Sequence, residues 1–165
     1  MVEVRVRDAT EADLPEVAEI YAYESLNTYS TFETEERPLQ AWGHKLHGHY
    51  PFLVAAEGDI GAERVLGYAY ASEFRDRPAY HLTVETSLYV HRDARGRRIG
   101  SLLDDALLAR LADAGFHTAL ALIALPNDPS VRLHERAGFV HAGTMREVGD
   151  KQDRMIDVGV YQRML

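Results

Sequence analysis

The chain has no cysteine among its 165 residues, which excludes a disulfide framework, a thiolate nucleophile and a cysteine-ligated zinc site. It also has no apolar run close to the roughly 18 residues that a membrane-spanning helix needs. Residues 1–7 alternate charged side chains with valine and contain no apolar segment of the kind found in signal peptides. We therefore expect a cytoplasmic protein with no membrane partner.

Positive charge is also scarce. The 18 basic side chains are outnumbered by 26 acidic ones, giving a net charge of −8, which argues against a nucleic-acid partner. The basic residues are unevenly distributed, because four arginines fall within residues 92–98. A local cationic spot on an acidic protein suggests a compact anionic ligand rather than a polyanion.

The hydrophobic pattern predicts one α/β domain over residues 1–165. The elements follow in the order strand, two helices, a meander of three strands, helix, strand, helix and two strands. The longest helix covers residues 99–114, and the nearly apolar run at 118–125 is typical of a central parallel strand. Asp128 is expected to cap the next helix, with Pro129 in its first position.

A glycine- and arginine-rich turn separates a predicted strand at residues 80–90 from the longest helix. It reads Arg-Gly-Arg-Arg-Ile-Gly-Ser over residues 95–101. Free backbone N–H groups at a helix start, with the positive end of the helix dipole behind them, form an anion site that a pyrophosphate fits. An ordinary solvated turn is the alternative. Gly96 and Gly100 are four residues apart, so the turn is neither a Walker A loop nor a dinucleotide fingerprint.

The strand, turn and helix resemble the coenzyme A-binding core of the GNAT N-acetyltransferase superfamily. The chain is similar to its phosphinothricin and methionine sulfoximine acetyltransferase group. The matching segments are residues 50–55, 83–85, 125–135, 138–139 and 157–159. The resemblance implies a mixed sheet of about seven strands flanked by about four helices, with a V-shaped splay between the two central parallel strands. It also implies acetyl-CoA, a small-molecule amine substrate and a homodimer. Because the sequence has no Ser or Cys nucleophile motif, we expect direct attack in a ternary complex.

By this resemblance, two residues are candidates for proton transfer. Glu85 would be the base that deprotonates the attacking amine, directly or through water. His134 would be the acid that protonates the departing thiolate, where many members of the superfamily have a tyrosine. The alternatives are a solvent-facing glutamate on a strand and a histidine packed on an amphipathic helix.

The coenzyme-binding pattern is Gln/Arg-x-x-Gly-x-Gly/Ala, and Arg98 stands where its middle glycine is usual. An arginine N–H can still donate to phosphate if its φ is negative. The backbone of Leu88 and Val90 is expected to bind the pantetheine arm and to polarise the thioester carbonyl. Asn127 is a family contact or, alternatively, a turn asparagine. The expected coenzyme-binding residues are Leu88, Tyr89, Val90, Arg95, Gly96, Arg97, Arg98, Ile99, Gly100, Ser101, Asn127 and Ser130.

On the acceptor side, Phe74 and Arg75 match an aromatic-arginine pair near the substrate carboxylate, which a guanidinium binds in bidentate fashion. Without the resemblance, Arg75 would be a surface arginine. Lys151 matches a loop at the acceptor site and the dimer contact, but Met155 replaces the usual tryptophan, which implies a different pocket wall. The expected acceptor-binding residues are Asn27, Thr28, Phe32, Phe74, Arg75, Thr83, Val84, Glu85 and Lys151.

Other functions remain open. The acceptor could be a polyamine, an aminoglycoside or a protein N-terminus, and a non-catalytic coenzyme A-binding module is a third possibility. Arg75 discriminates among acceptors, because an arginine facing the pocket favours a carboxylate. His44, His47 and His49 cluster on the second predicted helix, where two at i, i+3 could chelate a metal. No further ligands accompany them, so we expect a solvated helix face and no metal site.

Overall fold

The computed structural model describes residues 3–165, so Val2, which is part of the first predicted strand, lies outside the described residues. The strands are β1 (Val4–Asp8), β2 (Phe52–Glu57), β3 (Arg64–Glu73), β4 (Thr83–Val90), β5 (Thr118–Leu125), β6 (Val140–Lys151) and β7 (Arg154–Met164). The helices are α1 (Leu14–Asn27), α2 (Leu39–Leu46), α3 (Ile99–Asp113) and α4 (Asp128–Arg136). Among the described residues, no helix is both long and apolar enough to cross a membrane.

The seven strands form one sheet in the order β1-β2-β3-β4-β5-β7-β6. The only parallel pair among the described strands is β4 with β5. Its ladder joins Thr83–Glu85 to Thr118–Leu120 and goes no further. Beyond Glu85 the two strands separate, and the edge of β4 that faces β5 has no ladder partner. The predicted splay between the central strands is therefore present.

Two hydrophobic cores cover the two faces of the sheet. On one face, Leu103, Leu107 and Leu111 of α3 pack against apolar side chains of β2 to β5. On the other, α1 and α2 enclose an aromatic cluster around Trp42, which is fully buried. The cluster comprises Tyr21, Trp42, Phe52, Tyr68, Tyr70 and Tyr89, with edge-on, tilted and stacked ring contacts. The cluster holds α1 at the opening between β4 and β5, where Tyr21 and Glu24 line the cavity.

The structure differs from the sequence prediction by one residue at the end of α3, which is Asp113, and at two further element boundaries. The third strand of the meander begins at Thr83 rather than residue 80, because Pro78–Tyr80 forms a 3-10 turn. The N-cap of α4 is Asn127 rather than Asp128, because the Asn127 side chain accepts a hydrogen bond from the Ser130 N–H. Pro129 thus occupies the second helical position, where its missing N–H is still tolerated.

Candidate active site

A cleft of about 1900 Å³ opens where β4 and β5 separate. Its walls come from the loop after α1, the end of β4, the turn before α3, the end of β5 and the start of α4. The predicted residues that line it are Thr28, Phe32, Glu85, Leu88, Tyr89, Val90, Arg95, Gly96, Arg98, Ile99, Gly100, Ser101, Asn127, Ser130 and His134. The structure therefore gathers most of the expected coenzyme site and both proton-transfer candidates around one cavity.

The turn before α3 has left-handed backbone at two positions. Gly96 has φ of 78° and Arg98, the N-cap of α3, has φ of 63°. The negative φ that an Arg98 N–H contact with phosphate was expected to need is therefore absent. An L-residue in this conformation costs about 1–2 kcal/mol, which glycine does not pay. The backbone thus keeps the shape that a glycine at this position would favour.

Gly100 permits close packing at the base of the cleft. A Cβ at this position would overlap Cδ1 of Leu133 on α4, and it would also contact Leu88 and Val90 of β4. Because Gly100 has no side chain, the start of α3 can approach both α4 and β4. The first-turn amides of α3 are consequently held beside the opening of the sheet.

The arginines of the turn have different partners. Arg95 donates to the carboxylate of Glu24 on α1, with Nη2 and Oε1 separated by 2.6 Å. Glu24 is buried and lines the cleft. Arg97 instead pairs with Glu57 at the end of β2 and does not line the cleft. Of these two predicted coenzyme residues, the structure thus places Arg95 at the cavity and Arg97 outside it.

Glu85 is half-buried at the last position of the β4–β5 ladder. Burial raises the pKa of its carboxyl above the usual range, while the charges of Arg75 and Lys45 oppose that rise. The splay begins at the next residue, Thr86, whose Oγ1 donates a hydrogen bond to the carbonyl oxygen of Leu120 at 3.4 Å. A carboxylate with a raised pKa at the opening of a cleft suits proton abstraction from an amine.

His134 is buried in α4 and lines the same cleft. Its Nδ1 lies 2.8 Å from the carbonyl oxygen of Ser130, to which it donates. Nε2 is then the nitrogen available to the cavity. Burial lowers the pKa of the imidazole, with the Ser130 hydrogen bond acting against that shift. The resting side chain is therefore neutral at pH 7, with an unprotonated Nε2.

The loop after α1 is held against the β6–β7 hairpin. The Lys151 ammonium is buried and donates to the carbonyl oxygens of Thr31 and Glu33, at 2.7 Å each. The ring of Phe32 covers Gly149, where any Cβ would overlap it. Lys151 thus contacts the loop that carries Thr28 and Phe32 and is not itself among the residues that line the cleft.

The remaining acceptor-side predictions lie outside the cleft lining. Asn27 is exposed and donates to the carbonyl of Tyr23. Val84 is buried in the core beneath α3, and Thr83 begins the β4–β5 ladder. Arg75 is exposed after β3, with its guanidinium 4.5 Å from the centroid of the Phe74 ring. Met155 is exposed near the β6–β7 turn.

Three residues of this region were not singled out from the sequence. Glu24 reads as a polar position on an amphipathic helix, Lys45 as one more charge on α2, and Asp104 as a surface aspartate of α3. Asp104 is in fact buried and lines the cleft, and its Oδ2 has no hydrogen-bond partner. Only the fold reveals these positions. A carboxylate on the otherwise apolar buried face of α3 was the one available signal.

Residues 16–139 match the model of the acetyltransferase (GNAT) family. The chain is 44% identical to a phosphinothricin N-acetyltransferase of Streptomyces coelicolor, covering 99% of this chain and 97% of that protein. It is 37% identical to an L-methionine sulfoximine/L-methionine sulfone acetyltransferase of Pseudomonas paraeruginosa, with coverage of 95% and 92%. A solved GNAT superfamily phosphinothricin acetyltransferase from Sinorhizobium meliloti, in complex with AcCoA, superposes with a TM-score of 0.91 at 37% identity, covering 98% of this chain and 88% of that one.

The cleft fits acetyl-CoA in three respects. The unpaired edge of β4 leaves backbone groups for a pantetheine arm. The first turn of α3 lines the cleft, and the free amides of a helix start can bind a pyrophosphate. The space beside Gly96 is free of other atoms, which permits close approach of a ligand. With these features and a family match over most of its length, the chain belongs to the acetyltransferase (GNAT) family and is an acetyl-CoA-dependent N-acetyltransferase.

Proposed function

We propose that the acceptor is the free amine of a small amino-acid-like molecule of the phosphinothricin, methionine sulfoximine or methionine sulfone type. The observation that carries this proposal is Glu85, a half-buried carboxylate that lines the cleft. Two cations outside the cleft lining, Arg75 and Lys45, are near enough for their charges to oppose the rise of its pKa. An α-amino acid has an amine that can pair with the Glu85 carboxylate and, on the same carbon, an α-carboxylate that can pair with a cation. The names of the two curated relatives support the same substrate class.

In the proposed mechanism, Glu85 takes a proton from the acceptor ammonium and so exposes the lone pair that attacks. Acetyl-CoA supplies the acetyl group in activated form as a thioester. Attack is direct, within a ternary complex and without a covalent enzyme intermediate. Backbone groups of Leu88 and Val90 on the open edge of β4 would hold the reactive end of the coenzyme and polarise its carbonyl.

His134 is the candidate proton donor to the leaving thiolate. This role requires a proton on Nε2, and burial of the imidazole works against it. Negative charge that develops on a nearby sulfur favours the imidazolium. His134 would therefore acquire its proton only as the reaction proceeds. After attack the amine nitrogen has a second proton to lose, which an unprotonated Nε2 could accept and then pass to the thiolate as the C–S bond breaks, while the first proton stays with Glu85.

The coenzyme would be held by the remaining cleft residues. The amides of Ile99, Gly100 and Ser101 at the start of α3 would bind the pyrophosphate, and Arg95 would add a cationic contact. Asn127 and Ser130, which line the same cleft, would add further polar contacts. The acceptor would lie towards Thr28, Phe32 and Arg75. We further propose that residues 1–165 act as a single domain in a cytoplasmic homodimer, with Lys151 and Met155 near the dimer contact, and that neither nucleic acid nor membrane is a partner.

The test is a thiol-release assay with acetyl-CoA and a panel of amines. The panel contains phosphinothricin, methionine sulfoximine, methionine sulfone, ordinary amino acids and spermidine. We expect turnover with the first three compounds. Strong turnover with spermidine and none with the amino-acid acceptors would contradict the proposal. Binding of coenzyme A without turnover of any amine would instead favour a non-catalytic module.

A further inference from the structure

We propose that Lys45 binds an anionic side-chain group of the acceptor, so that the enzyme prefers acceptors that carry a second negative charge besides the α-carboxylate. This inference rests on the proposed function, because it assigns a further acceptor contact in the same site. Lys45 would be a specificity-determining residue rather than a participant in the chemistry.

Lys45 lies in the last turn of α2, on the face of the sheet that carries the aromatic cluster. Its Nζ lies 3.9 Å from the centroid of the Tyr70 ring, and Tyr70 lines the cleft. Tyr70 of β3 pairs with Ser87 of β4, and side chains two residues apart on a strand share a face. Tyr70 is therefore a diagonal neighbour of Glu85, which places the ammonium close to the proposed base.

The ammonium has no local carboxylate partner. Across residues 3–165, Lys45 takes part in no salt bridge within 4.0 Å. The one carboxylate whose charge favours its protonated form is Glu85. Arg37, a third cation on this side of the sheet, pairs with Glu33 and donates to the hydroxyl of Tyr21. Lys45 is not itself among the residues that line the cleft, but its half-buried ammonium lies over the ring of Tyr70, which does line it, and has no counter-ion. It is thus an anion contact for a group that enters the cleft on the Tyr70 side.

When an amino-acid acceptor is bound, its amine and α-carboxylate would pair with other residues, so Lys45 would be left to pair with a second anion. Glu85 is matched with the acceptor amine, and Arg75, with its planar fork of donors, suits the α-carboxylate. An acceptor with a neutral side chain leaves the Lys45 charge uncompensated. A phosphinate or carboxylate on the acceptor side chain would pair with it, since an ammonium acts as a compact point charge for such groups.

Phosphinothricin and methionine sulfone provide a matched pair of probes. Both have a tetrahedral head with one methyl group and two oxygens at the same position of the side chain, but only the phosphinate is charged. The readout is the ratio of kcat/KM for phosphinothricin to kcat/KM for methionine sulfone, measured at pH 7 with saturating acetyl-CoA. At this pH the ammonium is charged, because burial lowers the pKa of Lys45 only to about 8. Any effect of Lys45 on Glu85 is common to both acceptors and cancels in the ratio.

We expect Lys45→Met to lower this ratio by about tenfold or more, which is the effect of losing a charge-assisted contact. Lys45→Arg should restore most of the ratio. Arg77→Met, which removes a positive charge from the exposed loop after β3, should leave the ratio within about twofold, because long-range steering alone is weak at physiological salt. Residual turnover of methionine sulfone by Lys45→Met shows that the variant is folded.

Two results would overturn the inference. If Lys45→Met lowers kcat/KM equally for both acceptors, Lys45 affects the Glu85 base or binds the α-carboxylate, and it does not distinguish charged from neutral acceptor side chains. If the ratio is the same in Lys45→Met as in the wild type, Lys45 does not contact the acceptor. If the wild-type enzyme acetylates neither compound, the proposed function fails and this inference fails with it, which is a distinct outcome.

Discussion

The carboxylate of Glu24 on α1 and the guanidinium of Arg95, in the turn before α3, lie 2.6 Å apart. Glu24 also accepts hydrogen bonds from the hydroxyl groups of Thr28 and Ser30. One buried carboxylate therefore joins α1, the loop that follows it and the turn before α3. Because charge-assisted hydrogen bonds are stronger than neutral ones, this junction holds the two sides of the cleft in a fixed relation.

Replacement of Glu24 by glutamine should weaken the contact that holds Arg95 and the turn before α3 against α1. The amide presents an NH₂ group to Arg95 in place of an anion, so the tether is lost and we expect the KM for acetyl-CoA to rise about threefold to tenfold. Glu57→Gln is the matched control, because Glu57 pairs with Arg97 of the same turn outside the cleft. Steady-state kinetics with varied acetyl-CoA decide the matter, and an equal effect of the two substitutions would contradict the role of Glu24.

Replacement of Arg98 by glycine should stabilise the protein. Arg98 adopts φ of 63°, and removal of this strain outweighs the added entropy of a glycine in the unfolded chain by about 0.5–1 kcal/mol. Arg97→Gly is the control, since its φ is not in the left-handed range: it gains no relief of strain, pays the entropic cost and also loses the exposed ion pair with Glu57, so it should be destabilising. Urea denaturation measures both variants, and a loss of stability in Arg98→Gly would show that the arginine side chain compensates for its strained backbone.

The activity should depend on the ionisation of Glu85. A base must be deprotonated, and burial raises the pKa of this carboxyl. The acid limb of the kcat/KM profile should therefore lie at a higher pH than that of an exposed glutamate. Glu85→Gln should lower kcat by about 100-fold or more and abolish this limb. The measurement is the pH–rate profile of both proteins, and an unchanged limb in the variant would assign the ionisation to another group.

Asp104 should make the protein less stable as the pH rises. Burial, aided by the charge of Asp105, raises the pKa of its carboxyl to about 7, whereas an unfolded aspartate has a pKa of about 4. Between these values the folded state binds more protons than the unfolded state, so the stabilising contribution present at low pH is lost on the way to pH 7.

Asp104→Asn should flatten this slope and be more stable than the wild type at pH 8, by about 1–3 kcal/mol. Asp105→Asn, at the exposed neighbouring position, should have a smaller effect. Denaturation midpoints from pH 5 to 8 test the prediction. A wild-type stability that rises steadily over this interval while Asp104→Asn behaves identically would refute it.

Lys151 should act by positioning the acceptor loop. Lys151→Met keeps the aliphatic stem but leaves the carbonyls of Thr31 and Glu33 without a donor, which should cost about 1–3 kcal/mol of unfolding free energy. The KM for the acceptor should rise more than the KM for acetyl-CoA. Gly149→Ala, which displaces Phe32 from the same loop, should show the same split. Lys151 would instead contact the acceptor if its substitution impaired turnover while Gly149→Ala had no effect.

Much of the molecule follows from the sequence alone. The alternation of apolar residues determined the order of elements, because burial of one face imposes a period on a helix or strand. The β5 run at Thr118–Leu125 and the start of α3 at Ile99 were predicted at their observed positions. The motif at residues 95–101 and the segment at 125–135 predicted the coenzyme site through their resemblance to the family, and residues of both segments line the observed cleft.

Other features were decided only by the tertiary structure. The sequence shows Arg95 and Arg97 as equivalent members of one cationic turn, but packing brings Glu24 to one and Glu57 to the other. Similarly, Lys45 is an unremarked charge on α2 until the fold places it over Tyr70 and beside Glu85. The reason is physical: local patterns fix which face of an element is buried, whereas pKa values, counter-ions and cavity walls depend on groups that are distant in the chain and meet only when the sheet is assembled.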